Sequence, residues 1–161
     1  DISEFALQVT QEKAKEAGFS KNLVIRQMDF SLHSIPIKDS SVDITYSRIS
    51  INYFGSDQTS AMFRDIYRVL KTGGSAFLSL KSPDDVTEME YLEKSASIYE
   101  PNVYIEGGIL RSRFTIQQLE EMLKNANISD FEIKPYKEDL SSHKEGHHPV
   151  LYVNDIFFKK I

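Results

Sequence analysis

Cysteine is absent from these 161 residues. Its absence rules out a disulfide framework, a thiol nucleophile and a thiolate metal site, and it fits a cytoplasmic chain. No apolar run approaches the roughly 18 residues of a membrane span, and no signal-peptide pattern is visible. Glycine is scarce at seven residues, and none of them forms a Gly-x-Gly pair, the signature of a loop that approaches a phosphate closely. Charge of one sign is never concentrated. The net charge of −5 argues against a phosphate-binding surface spread over the whole chain, while leaving room for a local basic site. The sequence opens on Asp1 rather than Met, and the expectation is that a longer chain precedes it.

What is present is an ordinary globular balance, 40% apolar and 27% charged, of a length suited to one domain over residues 1–161. Ser3 is a good helix N-cap, and Ala6, Leu7, Thr10, Ala14 and Ala17 recur at helical spacing before Gly18, so a helix is expected over about 3–17. Residues 23–28 are short and rich in branched apolar side chains and read as a strand ending at Asp29. Residues 42–47 read as the next strand. A helix from Ser56 or Asp57 to about Lys71 carries Met62, Ile66, Val69 and Leu70 on one face. Gly73 and Gly74 turn it into a strand over 75–81. Residues 82–108 show no clear period and read as one or two helices with loops. Thr115 and Gln118 form a capping-box pattern that opens a helix, and two late strands follow at 131–136 and 151–159. With no helix between them, these last two are expected to pair as an antiparallel hairpin. Alternation of this kind indicates an α/β fold with helices on both faces of a sheet.

Four short motifs then occur in order. They are Asp1-Ile2-Ser3 before an alanine-rich helix, Asp29-Phe30, Ile35-Pro36-Ile37-Lys38-Asp39-Ser40-Ser41-Val42-Asp43, and Tyr67-Arg68-Val69-Leu70-Lys71-Thr72-Gly73-Gly74. Together they resemble class I S-adenosylmethionine-dependent methyltransferases, with Thr72 where proline is usual in the last motif. The resemblance implies a Rossmann-like methyltransferase sheet of strand order 3-2-1-4-5-7-6 that ends in the C-terminal antiparallel hairpin. It also implies an N-terminal truncation, with strands 1 and 2 and their glycine-rich loop missing. Without those two strands, strand 3 would stand about 10–15 Å from strand 4. Three explanations remain open. The upstream part precedes Asp1, another chain or a homo-oligomer completes the sheet, or the strands rearrange.

The resemblance also implies S-adenosyl-L-methionine as cofactor and assigns contacts to it. Asp1 would take both ribose hydroxyls, the role of the acidic residue in dinucleotide folds, unless it is simply an acidic cap for the following helix. Ile2 would pack on adenine. Asp29 would accept from the adenine amino group, and the Phe30 amide would face a ring nitrogen, unless the pair merely ends a strand. Ser47, Arg48 and Ile49 would lie by the methionine end and the methyl group. Arg48 suits a substrate carboxylate or phosphate and equally a surface charge. Tyr53, beside Asn52 and Phe54, would line the acceptor pocket or pack structurally.

His143, His147 and His148 cluster, but Gly146 and Pro149 argue for a loop rather than a helix that could present them to a metal. The plain reading is a polar hairpin loop, and the sharper one takes His143 or His147 to the rim of the acceptor site. Residues 84–93 are acidic and read as a solvated face or a cover. The function expected is methyl transfer to a small molecule, with no membrane and no clear nucleic acid as partner and no catalytic residue identified. The alternative is a non-catalytic methyltransferase-like module or fragment used for partner binding. A nucleotide-dependent oxidoreductase fits poorly, because no Tyr-x-x-x-Lys pair suits it.

Overall fold

A computed structural model describes residues 1–32, 34–140 and 150–161. The chain forms two compact units, Asp1–Pro36 and Ile37–Ile161.

The first unit is built on helix α1, Glu4–Glu16. Its N-terminus forms where the Ser3 hydroxyl accepts from the Ala6 N–H at 3.2 Å. Gly18, at φ +79°, lets the chain leave the helix in a left-handed conformation. A 3-10 turn follows at Ser20–Asn22. Residues 23–28 do not form the strand expected of them. A strand needs a ladder partner, and among the described residues the backbone partner is Asp1, whose N lies 3.4 Å from the Arg26 carbonyl and whose carbonyl accepts from Met28 N at 2.9 Å. Those two contacts have the pattern of a single parallel bridge centred on Gln27.

The second unit holds a four-stranded sheet of order β1-β2-β7-β6. Its strands are β1 (Val42–Arg48), β2 (Leu70–Lys81), β6 (Phe131–Asp139) and β7 (Val150–Lys159). β1 and β2 are parallel, and β7 runs antiparallel to both β2 and β6. This is the 4-5-7-6 order implied by the sequence motifs, and the late hairpin is present. Helix α2, Ser56–Val69, buries Thr59, Phe63, Ile66 and Val69. Phe63 rather than Met62 therefore lies on the core face, and the helix stops two residues before Lys71 because Leu70 already has strand geometry. Helix α4, Ile116–Asn125, starts on the Thr115–Gln118 capping box and buries Leu119, Met122 and Leu123. α2 packs on α4 and on β2, and α4 on β6. Between them lie Ala76, Leu78, Leu80, Ile156 and Phe158, none more than 1% exposed. Each large apolar side chain buried this way contributes roughly 1.5–3 kcal/mol. The opposite face of the sheet carries Tyr46, Phe77 and Phe157 in adjacent register, with the Tyr46 and Phe77 rings stacked at 5.7 Å.

The two glycines before β2 have different jobs. Val42 pairs with Leu70 but Ile44 with Ser75, so residues 71–74 bulge out of the ladder. Gly73 turns the bulge at φ +81°. A Cβ on Gly74 would lie 2.9–3.0 Å from the carbonyl oxygens of Lys71, Asp43 and Val42, so only glycine allows β1 and β2 to approach there.

Residues 82–112 depart most from expectation. One helix forms, α3 at Val86–Ser95. It is followed by a small antiparallel sheet of β3 (Ser97–Glu100), β4 (Val103–Glu106) and β5 (Ile109–Ser112). Gly107 and Gly108 both have positive φ and join β4 to β5, where Glu106 pairs with Ile109. That is the two-residue hairpin turn for which Gly-Gly is suited. Among the described residues, no helix is long and apolar enough to cross a membrane.

Candidate functional site

In the first unit, the Asp1 carboxylate lies at the start of α1, where its Oδ1 accepts from the Ser3 N–H at 2.8 Å. Ile2 is exposed, and its carbonyl accepts from the Gln27 side chain at 3.0 Å. Asp29 Oδ1 accepts from the Ser31 N–H at 2.8 Å and the Ser31 hydroxyl at 2.6 Å, and Phe30 is 38% exposed beside it. Because Asp1 bridges to Gln27, Asp29 follows two residues beyond that bridge. Two acidic side chains thus end adjacent parallel segments within one unit. This arrangement suits a ribose diol and an exocyclic amine on neighbouring positions.

In the second unit, Ser47, Arg48 and Ile49 stand at the carboxyl end of β1. The Ser47 and Ser50 hydroxyls are 3.1 Å apart. Arg48 is ion-paired with Glu138 of β6, so the carboxylate it holds belongs to the chain itself. Ile49 has φ +57°, a left-handed conformation that a β-branched residue rarely adopts and that concentrates at functional sites. Its N–H donates to the Ser79 carbonyl at 2.8 Å, which holds the strained turn against β2.

From Ile49 a pocket of about 230 Å³ opens between the ends of β1 and β2, helix α3 and the small sheet. Asn52 is 2% exposed and ties these parts together. Its Oδ1 accepts from Lys81 N at 2.8 Å, and its carbonyl accepts from Ser112 N at 2.9 Å. Its Nδ2 is buried without a hydrogen-bond partner. Glu88 forms the centre of one wall. Arg113 donates to both its oxygens, at 2.9 and 2.8 Å, and Lys81 Nζ donates at 2.5 Å. Burial alone would raise the Glu88 carboxyl, but the hydrogen bonds and charges of Arg113 and Lys81 outweigh it and hold the group at about 2. In the second wall Glu106 accepts from Arg111 at 3.0 Å. The hydrogen bond from Tyr91 chiefly lowers the Glu106 carboxyl below its ordinary value; burial opposes it, and the bond from Arg111 adds to the lowering. The Arg111 guanidinium sits 5.3 Å from the Tyr53 ring centroid.

Tyr53 therefore lines a pocket and is 45% exposed, rather than packing in the core. Residues 84–93 are not simply a solvated face. Asp85 caps α3 with its side chain, Leu92 is 2% exposed, and Glu88 points inward. The Glu88–Arg113 pair leaves no sign in the sequence, because its partners stand 25 positions apart and meet where the small sheet returns the chain to α3. His143, His147 and His148 lie outside the described residues. A second hollow, of about 350 Å³, lies at the start of α2 and is walled by Ile105, Leu110 and Glu100.

Residues 1–74 match the family model described as a methyltransferase domain. Among curated proteins, none matches the sequence significantly. Solved structures share the fold at low identity. A SAM-dependent methyltransferase from Methanosarcina mazei superposes with a TM-score of 0.73 at 16% identity, over 100% of this chain and 80% of that one. An S-adenosylmethionine-dependent methyltransferase from Clostridium acetobutylicum gives 0.60 at 17%, over 100% and 74%. The [4+2]-cyclase SpnF gives 0.59 at 19%, over 99% and 65%, which shows that the fold alone does not fix the reaction. Residues 1–74 thus resemble a methyltransferase domain, and the chain as a whole has the Rossmann-like α/β fold shared by these solved methyltransferase structures.

Proposed function

We propose that the domain transfers a methyl group from S-adenosylmethionine to a small molecule. The observation that carries this reading is the pocket that begins at the strained Ile49, at the carboxyl ends of two parallel strands, where open α/β sheets bind their ligands. Asp1 and Asp29 fit the ribose and the adenine amino group, with Ile2 and Phe30 beside the base. Ser47, Arg48 and Ile49 fit the methionine end.

When bound, the cofactor supplies a methyl group on a sulfonium: an acceptor lone pair forms the new bond to that carbon as the carbon–sulfur bond breaks, its electron pair remaining on sulfur. The chain's own contribution is alignment and exclusion of water. The left-handed turn at Ile49 fixes the floor of the pocket, and the Glu88 and Glu106 ion pairs hold α3 and the small sheet as its walls. A volume of about 230 Å³ falls below the range of about 300–1,000 Å³ usual for drug-sized ligands, which favours a small acceptor over a nucleic acid or protein segment.

Calorimetric titration with S-adenosylhomocysteine tests the reading. Micromolar binding, weakened at least tenfold by Asp29→Ala, is expected. A folded chain that binds neither S-adenosylhomocysteine nor S-adenosylmethionine would favour the second reading, a methyltransferase-like module used for partner binding. That reading draws support from β1, an edge strand among the described residues that exposes Ile44 and Tyr46, as a strand awaiting a neighbour does.

A further inference from the structure

Resting on the methyltransferase reading, the walls of the pocket at Ile49 say more about what it takes. Three cations, Lys81, Arg111 and Arg113, face two carboxylates, Glu88 and Glu106, which leaves an excess positive charge. The whole chain is acidic at −5, so this local sign is not a share of a general surplus. The cations differ in availability. The Arg113 side chain is 4% exposed and directs Nε and Nη2 at Glu88 and Nη1 at the Ser112 carbonyl. Lys81 and Arg111 are each 27% exposed and have donor hydrogens beyond those given to Glu88 and Glu106.

A second observation points the same way. The Asn52 side-chain oxygen is already engaged, accepting from Lys81 N. Asn52 lines the pocket, and its Nδ2 is a buried donor without a protein partner, a state in which buried donors are seldom left. Cations and an amide donor together favour an anionic oxygen, since an uncompensated charge in a part-buried site is costly and an anion offsets it. Tyr53 and Tyr91 line the same pocket and are both about half exposed. They offer ring surface to an apolar or planar body.

We propose that the methyl acceptor is a small organic acid, its carboxylate held by Lys81, Arg111 and Asn52 and its body against Tyr53 and Tyr91. The methyl transfer is the one described above, with the acceptor's lone pair taking the carbon and sulfur keeping the bonding pair. A neutral molecule of the same size could accept from the amide donor but would leave the positive charge unanswered, and a cationic one would add to it.

The test uses the full chain with sodium benzoate and its neutral isostere benzamide, followed by ligand-observed NMR and calorimetry. Benzoate is expected to bind at least tenfold more tightly than benzamide. Asn52→Asp keeps the oxygen that Lys81 N requires and replaces the donor with a negative charge, and it should weaken benzoate at least tenfold. Lys81→Met keeps the alkyl stem and Arg113 on Glu88, and serves where Asn52→Asp does not fold; it should weaken benzoate at least threefold and leave benzamide unchanged. Equal binding of the two probes, no benzoate binding at 10 mM (roughly a Kd beyond the millimolar range), or unchanged benzoate binding in folded Lys81→Met would overturn the proposal. S-adenosylhomocysteine is titrated into the same samples. Charge-selective benzoate binding without S-adenosylhomocysteine binding would keep the anion site and remove the methyl-transfer reading. S-adenosylhomocysteine binding without charge selectivity would remove the acid as acceptor and leave methyl transfer standing.

Discussion

Glu100 caps a helix that begins 44 residues earlier in the chain: its Oε1 accepts from the Ser56 N–H at 2.6 Å and its Oε2 from the Ser56 hydroxyl at 2.9 Å. Gly55, the N-cap residue of α2, has no side chain to do this. A carboxylate at a helix N-terminus also meets the favourable end of the macrodipole. The contact fastens β3, and with it the small sheet, to α2. Glu100→Ala should cost about 1–2 kcal/mol, read as a lower urea midpoint. Glu100→Gln, which keeps one acceptor, should cost less than the alanine change. Equal effects would mean that the charge carries the contribution and the retained acceptor adds nothing.

Stability at acid pH should follow Glu88. Its carboxyl is depressed from an ordinary 4.5 to about 2 in the folded chain. A depressed carboxylate contributes fully above its unfolded value and loses that contribution as pH falls through the folded one. The decline should therefore fall between about 4.5 and about 2. Glu88→Gln should flatten this part of the profile. At neutral pH it should cost about 3 kcal/mol, because it leaves the buried Arg113 guanidinium without its counter-charge. Unfolding free energies measured across that pH range in both proteins decide the matter.

Gly73 and Gly74 should respond differently to alanine. Gly73→Ala meets open space and pays only for a left-handed backbone, about 1–2 kcal/mol. Gly74→Ala pushes a methyl onto three carbonyl oxygens at 2.9–3.0 Å and should cost more, about 3 kcal/mol, with loss of hydrogen-exchange protection at the start of β1. The reverse ranking would mean that β1 and β2 do not approach there as described.

Ile49→Gly separates strain from function. Glycine relieves the φ of +57°, which offsets the lost apolar contact of a half-buried side chain. Thermal stability should change by less than about 1 kcal/mol. Methyl transfer should fall at least tenfold, because the turn that bounds the pocket is no longer fixed. A large loss of stability with activity retained would contradict this.

The elements read correctly from the sequence carry local instructions. Ser3, Gly18 and the Thr115–Gln118 pair act within one or two helical turns, and the late hairpin follows from two apolar runs with no helix between them. The strand order of the main sheet was legible through the motifs at residues 35–43 and 67–74, together with the late hairpin. Residues 23–28 differ because strand propensity is realised only with a ladder partner, and among the described residues their backbone bonds are those of one bridge to Asp1. The small sheet was missed although Gly107 and Gly108, flanked by Val103–Glu106 and Ile109–Ser112, are a hairpin signal. Of the candidate site, the end of β1 was legible because the motifs number toward it. The Glu88, Arg113 and Arg111 walls were not, since partners far apart in sequence leave no periodicity to read.

The turn at Gly107 and Gly108 also acts as a selector. Side chains alternate across the small sheet, so Glu106, Arg111 and Arg113 line the hollow at Ile49 while Ile105 and Leu110 line the hollow at α2. A one-residue slip in a strand exchanges its two faces. Inserting or deleting a single residue at this turn would turn Leu110 or Ser112 toward the position that Arg111 now holds. The main sheet, with its glycine bulge and buried leucines, takes no part in that exchange. A mutation in loop length alone could thus exchange a charged lining for an apolar one, with the scaffold left intact.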